Sequence, residues 1–242
     1  AYVAAAEKTG VAVILQAGPK FRETLPVDIA GLMFRKLAEA ATVPVVAHVD
    51  HARSIDECRA GIEAGFTSVM YDGSALPVAE NIDNTNAVIA LARPHGVSVE
   101  AEIGFVGYAA GARSEMTDAH EAGQLAHATG CDALAISVGN VHLQESQQSE
   151  IDLERLAEIE AVTDCPLVIH GASGVPDQMR RHLAQHTRVC KFNVGTELRQ
   201  CFGAGLRAVL ADDPALFDRG QILRATRPGL TALAAEIMRS FT

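Results

Sequence analysis

Residues 43–74, VPVVAHVDHARSIDECRAGIEAGFTSVMYDGS, contain one full repeat of the fold. An apolar run at 43–51 leads through Ser54, with Glu57 three residues on, into a helix-like stretch at 54–64, and a second apolar run follows at 68–74. Ser54 and Glu57 make the Ser-x-x-Glu pattern that supplies partners to the free N–H groups of a helix start. The apolar runs are continuous rather than alternating, which is the composition of parallel strands covered on both faces.

The pattern extends outward on both sides. Further strand-like runs are VAVILQ (11–16), SVEAEIG (98–104), ALAISVGN (133–140), PLVIHGAS (166–173) and VCKFNVG (189–195). Helix-like segments fill 27–41, 78–92, 118–129, 152–162, 176–185, 196–211 and a last stretch near 226–240, with Asp152 placed to cap LERLAEIEAV. Repeated βα units form either an open doubly wound sheet or a closed barrel. No GxGxxG fingerprint follows an early strand, which weighs against the dinucleotide-binding form. At 242 residues with no linker or low-complexity stretch, the chain fits one domain, 1–242: an α/β fold, the (β/α)8 barrel of the TIM type. AYVAAAEKTG reads as the end of a helix and only seven strands follow, so the first βα unit of such a barrel is expected to be absent from this chain.

Bulk properties narrow the function. Apolar residues make up 48% and charged residues 21%, as in an ordinary globular enzyme. A net charge of −10 argues against nucleic acid or an anionic membrane as partner, because both demand excess Lys and Arg. Cys58, Cys131, Cys165, Cys190 and Cys201 form no CxxC pair, so reduced, mostly buried thiols in a cytoplasmic protein are expected. No segment has the look of a signal peptide or a membrane span.

In parallel α/β barrels the working residues stand at the C-terminal ends of the strands. Here those ends read His48-Val49-Asp50-His51, Asp72-Gly73-Ser74, Glu100 and Glu102, Gly139-Asn140-Val141-His142, His170-Gly171-Ala172-Ser173 and Lys191-Phe192-Asn193-Val194-Gly195-Thr196. Imidazoles from three separate strands, with an open position left over, are a common way to hold a catalytic zinc. His95, His120, His127, His182 and His186 fall on helices or helix ends and are expected to be structural or solvated. Asp50 fits three roles (ligand, acid/base or helix cap) and Glu102 fits ligand, base or ion-pair member. The HGAS and NVGT turns bring small residues and a following helix start to the last strands, an arrangement suited to a phosphate.

In their order and separations, PVVAHVDHARSIDECRAGIEAGFTSVMYDGS, SVEAEIG, ALAISVGNVH, LVIHGASGVP and KFNVGTELR resemble the zinc-dependent class II ketose-bisphosphate aldolases of the fructose and tagatose type. The resemblance spans essentially the whole chain. It implies His51, His142 and His170 as ligands of Zn²⁺ or another divalent cation, with Glu102 as an alternate metal contact. It implies that Asp50 exchanges the proton of the hydroxyl that becomes the aldehyde, while the metal polarises the donor ketone. Gly171, Ser173, Asn193, Gly195 and Thr196 would bind the ketose phosphate and its hydroxyls, a monovalent cation often lying beside that phosphate. A small sugar phosphate as partner, a homodimer or homotetramer and a cytoplasmic setting come with the resemblance too.

The sequence departs from the family pattern at several places. Leu143 follows the middle histidine where the family usually has Gly, Gly18 stands for a Ser, and the NxDT or NxAT motif is NVGT. The loop GFVGYAAGARSE has Ala109 and Ala110 near the usual place of a Glu, leaving Glu115 or Asp118 as substitutes. Three other chemistries compete: a Schiff-base aldolase on Lys191, a metal-dependent barrel hydrolase, and a non-catalytic sugar-phosphate-binding protein.

Overall fold

The apolar runs form seven parallel strands in the computed structural model, which describes residues 1–107, 111 and 114–241. They are β1 (Val13–Ala17), β2 (Val45–Ala52), β3 (Ser68–Tyr71), β4 (Ser98–Ile103), β5 (Ala133–Ile136), β6 (Leu167–Ile169) and β7 (Val189–Phe192). The helices are α1 (Tyr2–Thr9), α2 (Pro19–Thr24), α3 (Val27–Ala40), α4 (Ile55–Glu63), α5 (Val78–Ala92), α6 (Ala119–Thr129), α7 (Leu153–Val162), α8 (Asp177–His186), α9 (Thr196–Asp212) and α10 (Arg219–Ser240). Each strand pairs with the next in chain order, so the sheet reads β1 to β7 and curls into a part-barrel with β1 and β7 at its edges. The seven strands counted in the sequence are thus all present among the described residues, in a sheet that forms a curled half-barrel. The curl is still tight enough for Gln16 of β1 to donate from Nε2 to Asn193 Oδ1, just past β7, at 2.9 Å.

Strand period two sorts the side chains. Val49, Val69, Val99, Ala101, Leu134, Ile136, Leu167 and Ile169 join Phe34, Ile62, Leu125, Leu156 and Leu183 in the core between sheet and helices. Burying each large aliphatic side chain there contributes about 1.5–3 kcal/mol. The alternate positions form a different row: Met70 lies opposite Glu100, Glu102 opposite Ala135, Ala135 opposite Val168, and Val168 opposite Lys191. Met70, Ala135 and Val168 form their own small cluster there. The inner face of the sheet therefore carries buried His48, Glu100, Glu102, His170 and Lys191 among small apolar residues.

Local chemistry explains the helix starts. Ser54, Asp118, Asp152 and Asp218 each accept a backbone N–H three residues on, from Glu57, Glu121, Arg155 and Gln221. The last of these corrects the expected start of the final helix, which begins at Arg219 and takes Pro228 into its interior. Helix α2 was not foreseen, because PKFRET is polar and only six residues long.

His95 lies in a 3-10 turn after α5, His120 and His127 in α6, and His182 and His186 in α8, as anticipated. The thiols are all free, but only Cys58 and Cys131 are buried; Cys165 and Cys201 are half-buried and Cys190 is exposed, since it points outward from the β7 edge. Among the described residues, no helix is long and apolar enough to cross a membrane. Ala109 and Ala110 lie outside the described residues.

Candidate metal centre

Neighbouring residues of a regular strand point to opposite faces, so Asp50 and His51 cannot both serve one site without a break in β2. The break is present. The β2–β3 register shifts between Val49 and Ala52, and His51 takes a left-handed backbone with φ 50°. A bulge of this kind re-aims side chains at a strand end, and a non-glycine residue held at positive φ is a strain typical of functional sites. Arg22 of α2 secures it: its guanidinium donates to the Asp50 carbonyl at 2.7 Å, to the His51 carbonyl at 3.3 Å and to Glu57 Oε2 at 2.9 Å.

Three imidazoles converge above the sheet. The His51 ring centroid lies 4.6 Å from that of His170 and 5.4 Å from that of His142, and His142 lies 5.7 Å from His170. One nitrogen from each falls within 4.8 Å of the other two. His170 comes from the end of β6 and His142 from the loop after β5. Asn140 ties these two segments together, its Nδ2 donating to the His170 carbonyl at 3.0 Å. His51 Nδ1 sits 2.9 Å from Asp72 Oδ2, which leaves Nε2 as its second donor atom. Glu102 is 2% exposed and its Oε2 lies 3.5 Å from His51 Nδ1 and 3.7 Å from His170 Nδ1.

The electrostatics favour a positive charge at this point. Burial lowers the His51 pKa, but the Asp72 hydrogen bond and the charges of Asp50 and Glu102 prevail and raise it to about 9. Burial and the charge of His51 lower His142 to about 4. Burial, then the charges of His51 and Lys191, hold His170 well below the usual range. Both rings are therefore neutral near pH 7 and present lone pairs. Burial and then the charge of Asp72 push Glu102 well above the ordinary carboxyl range. Glu102 Oε2 and His170 Nδ1 are buried with no hydrogen-bond partner among the described residues, which is costly unless something else satisfies them. Two buried acceptors aimed at one another, beside two further imidazoles, are the donor set of a divalent cation. The residues present fit that group.

Asp50 stands beside this cluster but is not one of its grouped donor atoms. Its Oδ1 accepts from Gln16 Nε2 at 3.2 Å and from Asn193 Nδ2 at 3.1 Å, so two amides from the sheet edges hold the carboxylate in place. A Cβ at Gly18 would lie 3.4 Å from Asp50 Oδ2, so glycine there leaves this oxygen open. Gly171, Ser173, Asn193, Gly195 and Thr196 come together at the ends of β6 and β7. Ser173 Oγ accepts from the Gly195 and Thr196 N–H groups, each at 3.1 Å, and Ala172 N–H donates to the Asn193 carbonyl at 3.0 Å. Gly171 has φ 62°, and a Cβ there would press on the Val141 carbonyl and stand 3.1 Å from His142 N. Gly171→Ala is therefore expected to lower stability by more than about 1 kcal/mol and to displace His142. Urea unfolding and the metal content of the purified variant check this.

A scan against protein-family models matches class-II fructose-bisphosphate aldolase over residues 1–242. The chain belongs to the class-II fructose-bisphosphate aldolase family. It is an enzyme of the lyase class, a metal-dependent aldolase. It is 38% identical over 205 residues to a fructose-bisphosphate aldolase of Geobacillus stearothermophilus, covering 83% of this chain and 71% of that one. It is 39% identical over 186 residues to a 6-phospho-5-dehydro-2-deoxy-D-gluconate aldolase of Shouchella clausii, covering 76% of this chain and 63% of that one. Among solved structures, the YdjI aldolase from Escherichia coli K12 matches with a TM-score of 0.86 at 30% identity, over 99% of this chain and 85% of that one.

For this aldolase, His51, His142 and His170 form one group of donor atoms, Glu102 joins His51 and Asp72 in a second that shares His51, and Asp50 stands beside them. Sequence reasoning gave no role to three residues that build it: Arg22 behind the bulge, Asp72 behind His51, and Glu100 behind His170. The spacing of Glu100 and Glu102 already placed both on one face of β4, while Arg22 left no trace at all. Lys191, the Schiff-base candidate, is 8% exposed, and its Nζ donates to Glu100 Oε2 at 2.7 Å.

Proposed function

We propose that this chain reversibly cleaves a ketose phosphate or ketose bisphosphate into a dihydroxyacetone-phosphate-like donor and an aldehyde. The observation that carries this is the convergence of His51, His142 and His170 beside an Asp50 carboxylate fixed by two amides. His51, His142 and His170 would hold the cation, which we take to be Zn²⁺, with Glu102 as its alternate contact. When bound, such a cation supplies Lewis-acid polarisation of the donor ketone. Asp50 takes the proton of the hydroxyl that becomes the aldehyde in cleavage and returns it in synthesis. Gln16 and Asn193 aim its carboxylate, and Asn193, Gly171, Ser173, Gly195 and Thr196 receive the ketose hydroxyls and phosphate, with a monovalent cation alongside. The free thiols and acidic charge suit a cytoplasmic enzyme, and the family resemblance a homodimer or homotetramer. The sequential parallel order supports the part-barrel as the larger portion of a (β/α)8 barrel.

The substrate is proposed to differ from fructose 1,6-bisphosphate. Leu143 has φ 57° and is 45% exposed, so the backbone follows a glycine-like path and carries a branched apolar side chain at the residue next to His142. The Shouchella clausii relative is named for a deoxy-gluconate phosphate. kcat/KM across ketose phosphates, ketose bisphosphates and free ketoses is expected to place another ketose phosphate above fructose 1,6-bisphosphate. Fructose 1,6-bisphosphate as the best substrate by a wide margin refutes this. Leu143→Gly is expected to raise fructose bisphosphate turnover. It should also raise the unfolding free energy by about 0.5–1 kcal/mol, the left-handed penalty less the added chain entropy. Denaturant melts measure the second effect.

A further inference from the structure

Below the three imidazoles lies a second polar layer that the reaction above does not use. Glu100 is 3% exposed. Its Oε1 lies 3.0 Å from His170 Nε2, and its Oε2 accepts from Lys191 Nζ at 2.7 Å. His48 stands on the far side, Nε2 3.7 Å from Glu100 Oε2 and Nδ1 2.8 Å from Ser68 Oγ. All these groups are buried inside the curl of the sheet. A buried ion pair adds little net stability, since desolvation offsets most of the attraction, so its presence under a functional cluster calls for another reason.

The two ring nitrogens of His170 have different surroundings. Nε2 faces a carboxylate oxygen and donates to it, so the ring proton belongs on Nε2. Nδ1 then carries the lone pair, and it is the nitrogen that is buried without a hydrogen-bond partner on the Glu102 side. His51 has the opposite arrangement, with Nδ1 bonded to Asp72. Each of these rings is thus aimed through a different nitrogen by its own carboxylate, and partners of that kind fix both ring orientation and tautomer.

We propose that Glu100 and Lys191 are positioning residues: Glu100 keeps the His170 proton on Nε2 and turns Nδ1 toward the cation, while Lys191 anchors the other oxygen so that the carboxylate cannot rotate away. Both act through His170 and neither touches substrate. The inference rests on the metal reading given above.

Two charge-neutral double variants isolate the hydrogen bond. Glu100→Gln with Lys191→Met keeps an acceptor for His170 Nε2–H, and Glu100→Leu with Lys191→Met removes it. Neither buries an unpaired charge, and thermal unfolding of the metal-free chains verifies that both fold. Co²⁺ affinity, measured by competition with a chelator, is expected to fall only a few-fold in the Gln/Met pair. In the Leu/Met pair it should fall by about 10–100-fold, the usual effect of losing such a partner. Equal affinities in the two pairs overturn the role of Glu100. The single variant Glu100→Gln, in which Lys191 claims the amide oxygen and leaves the NH2 facing the ring, is expected to bind Co²⁺ more weakly than the Gln/Met pair. Binding as tight as that pair overturns the anchoring role of Lys191. ¹⁵N NMR of the metal-free wild type should report the His170 proton on Nε2, and a proton on Nδ1 overturns the proposal independently. His51→Ala and His142→Ala separate the two readings. If both retain wild-type Co²⁺ affinity, the metal centre itself is wrong. If both lose it while the Leu/Met pair does not, only the positioning role fails.

Discussion

Removal of the divalent cation is expected to abolish carbon–carbon cleavage, and Zn²⁺ or Co²⁺ to restore it. The expected loss is large because the cation is proposed as the group that polarises the ketone, and the one amine the sequence offered in its place is engaged elsewhere. Lys191, the Schiff-base candidate, is buried against Glu100 and cannot approach a carbonyl without breaking that ion pair. Lewis-acid stabilisation is worth several kcal/mol of transition-state energy, so the rate should drop by about 10³-fold or more. The metal-free protein should remain folded, since most of its core lies between sheet and helices, away from the cluster. Retro-aldol assays on chelated and reconstituted protein, with metal content measured on the same samples, provide the check. Borohydride trapping of substrate on Lys191, together with activity that survives complete metal removal, would return the Schiff-base reading.

The second large effect is expected at Asp50. Asp50→Ala should lower kcat by about 10²–10⁴-fold, the range for a positioned acid–base group. Bound metal should stay at the wild-type level, because His51, His142 and His170 group without the Asp50 carboxylate, as do His51, Asp72 and Glu102. Asp50→Asn is the sharper variant: it preserves shape and one acceptor toward Gln16 and Asn193 but cannot take a proton. A parallel fall of metal content and activity in these variants would make Asp50 a ligand instead. Retained activity in Asp50→Asn would remove it from the proton transfer altogether. The Gln16–Asp50–Asn193 bridge also joins the two edge strands, so a modest loss of stability should accompany both variants.

What could be seen in the sequence was whatever depends on local pattern. Continuous apolar runs separated by capped amphipathic stretches specified parallel strands and their order, because period and capping act over a few residues. The same pattern placed His51, His142, His170 and Glu102 at strand ends, where a curled parallel sheet gathers them. The seven strands were countable in the sequence and the described residues pair as seven, while a first βα unit was an expectation from barrel architecture alone. Three things were decided only by tertiary structure. Asp50 and His51 share one site because β2 bulges at His51, and that bulge is held by Arg22, on a short polar helix whose sequence has no amphipathic period. Lys191 has the same strand-end address as a catalytic amine, yet a carboxylate 91 positions away in the chain claims it. Which nitrogen of His170 faces the cluster depends on that same carboxylate. Local propensity is set by neighbours along the chain, whereas ring orientation, ion pairing and a strained φ are set by groups that meet only when distant strands come into register.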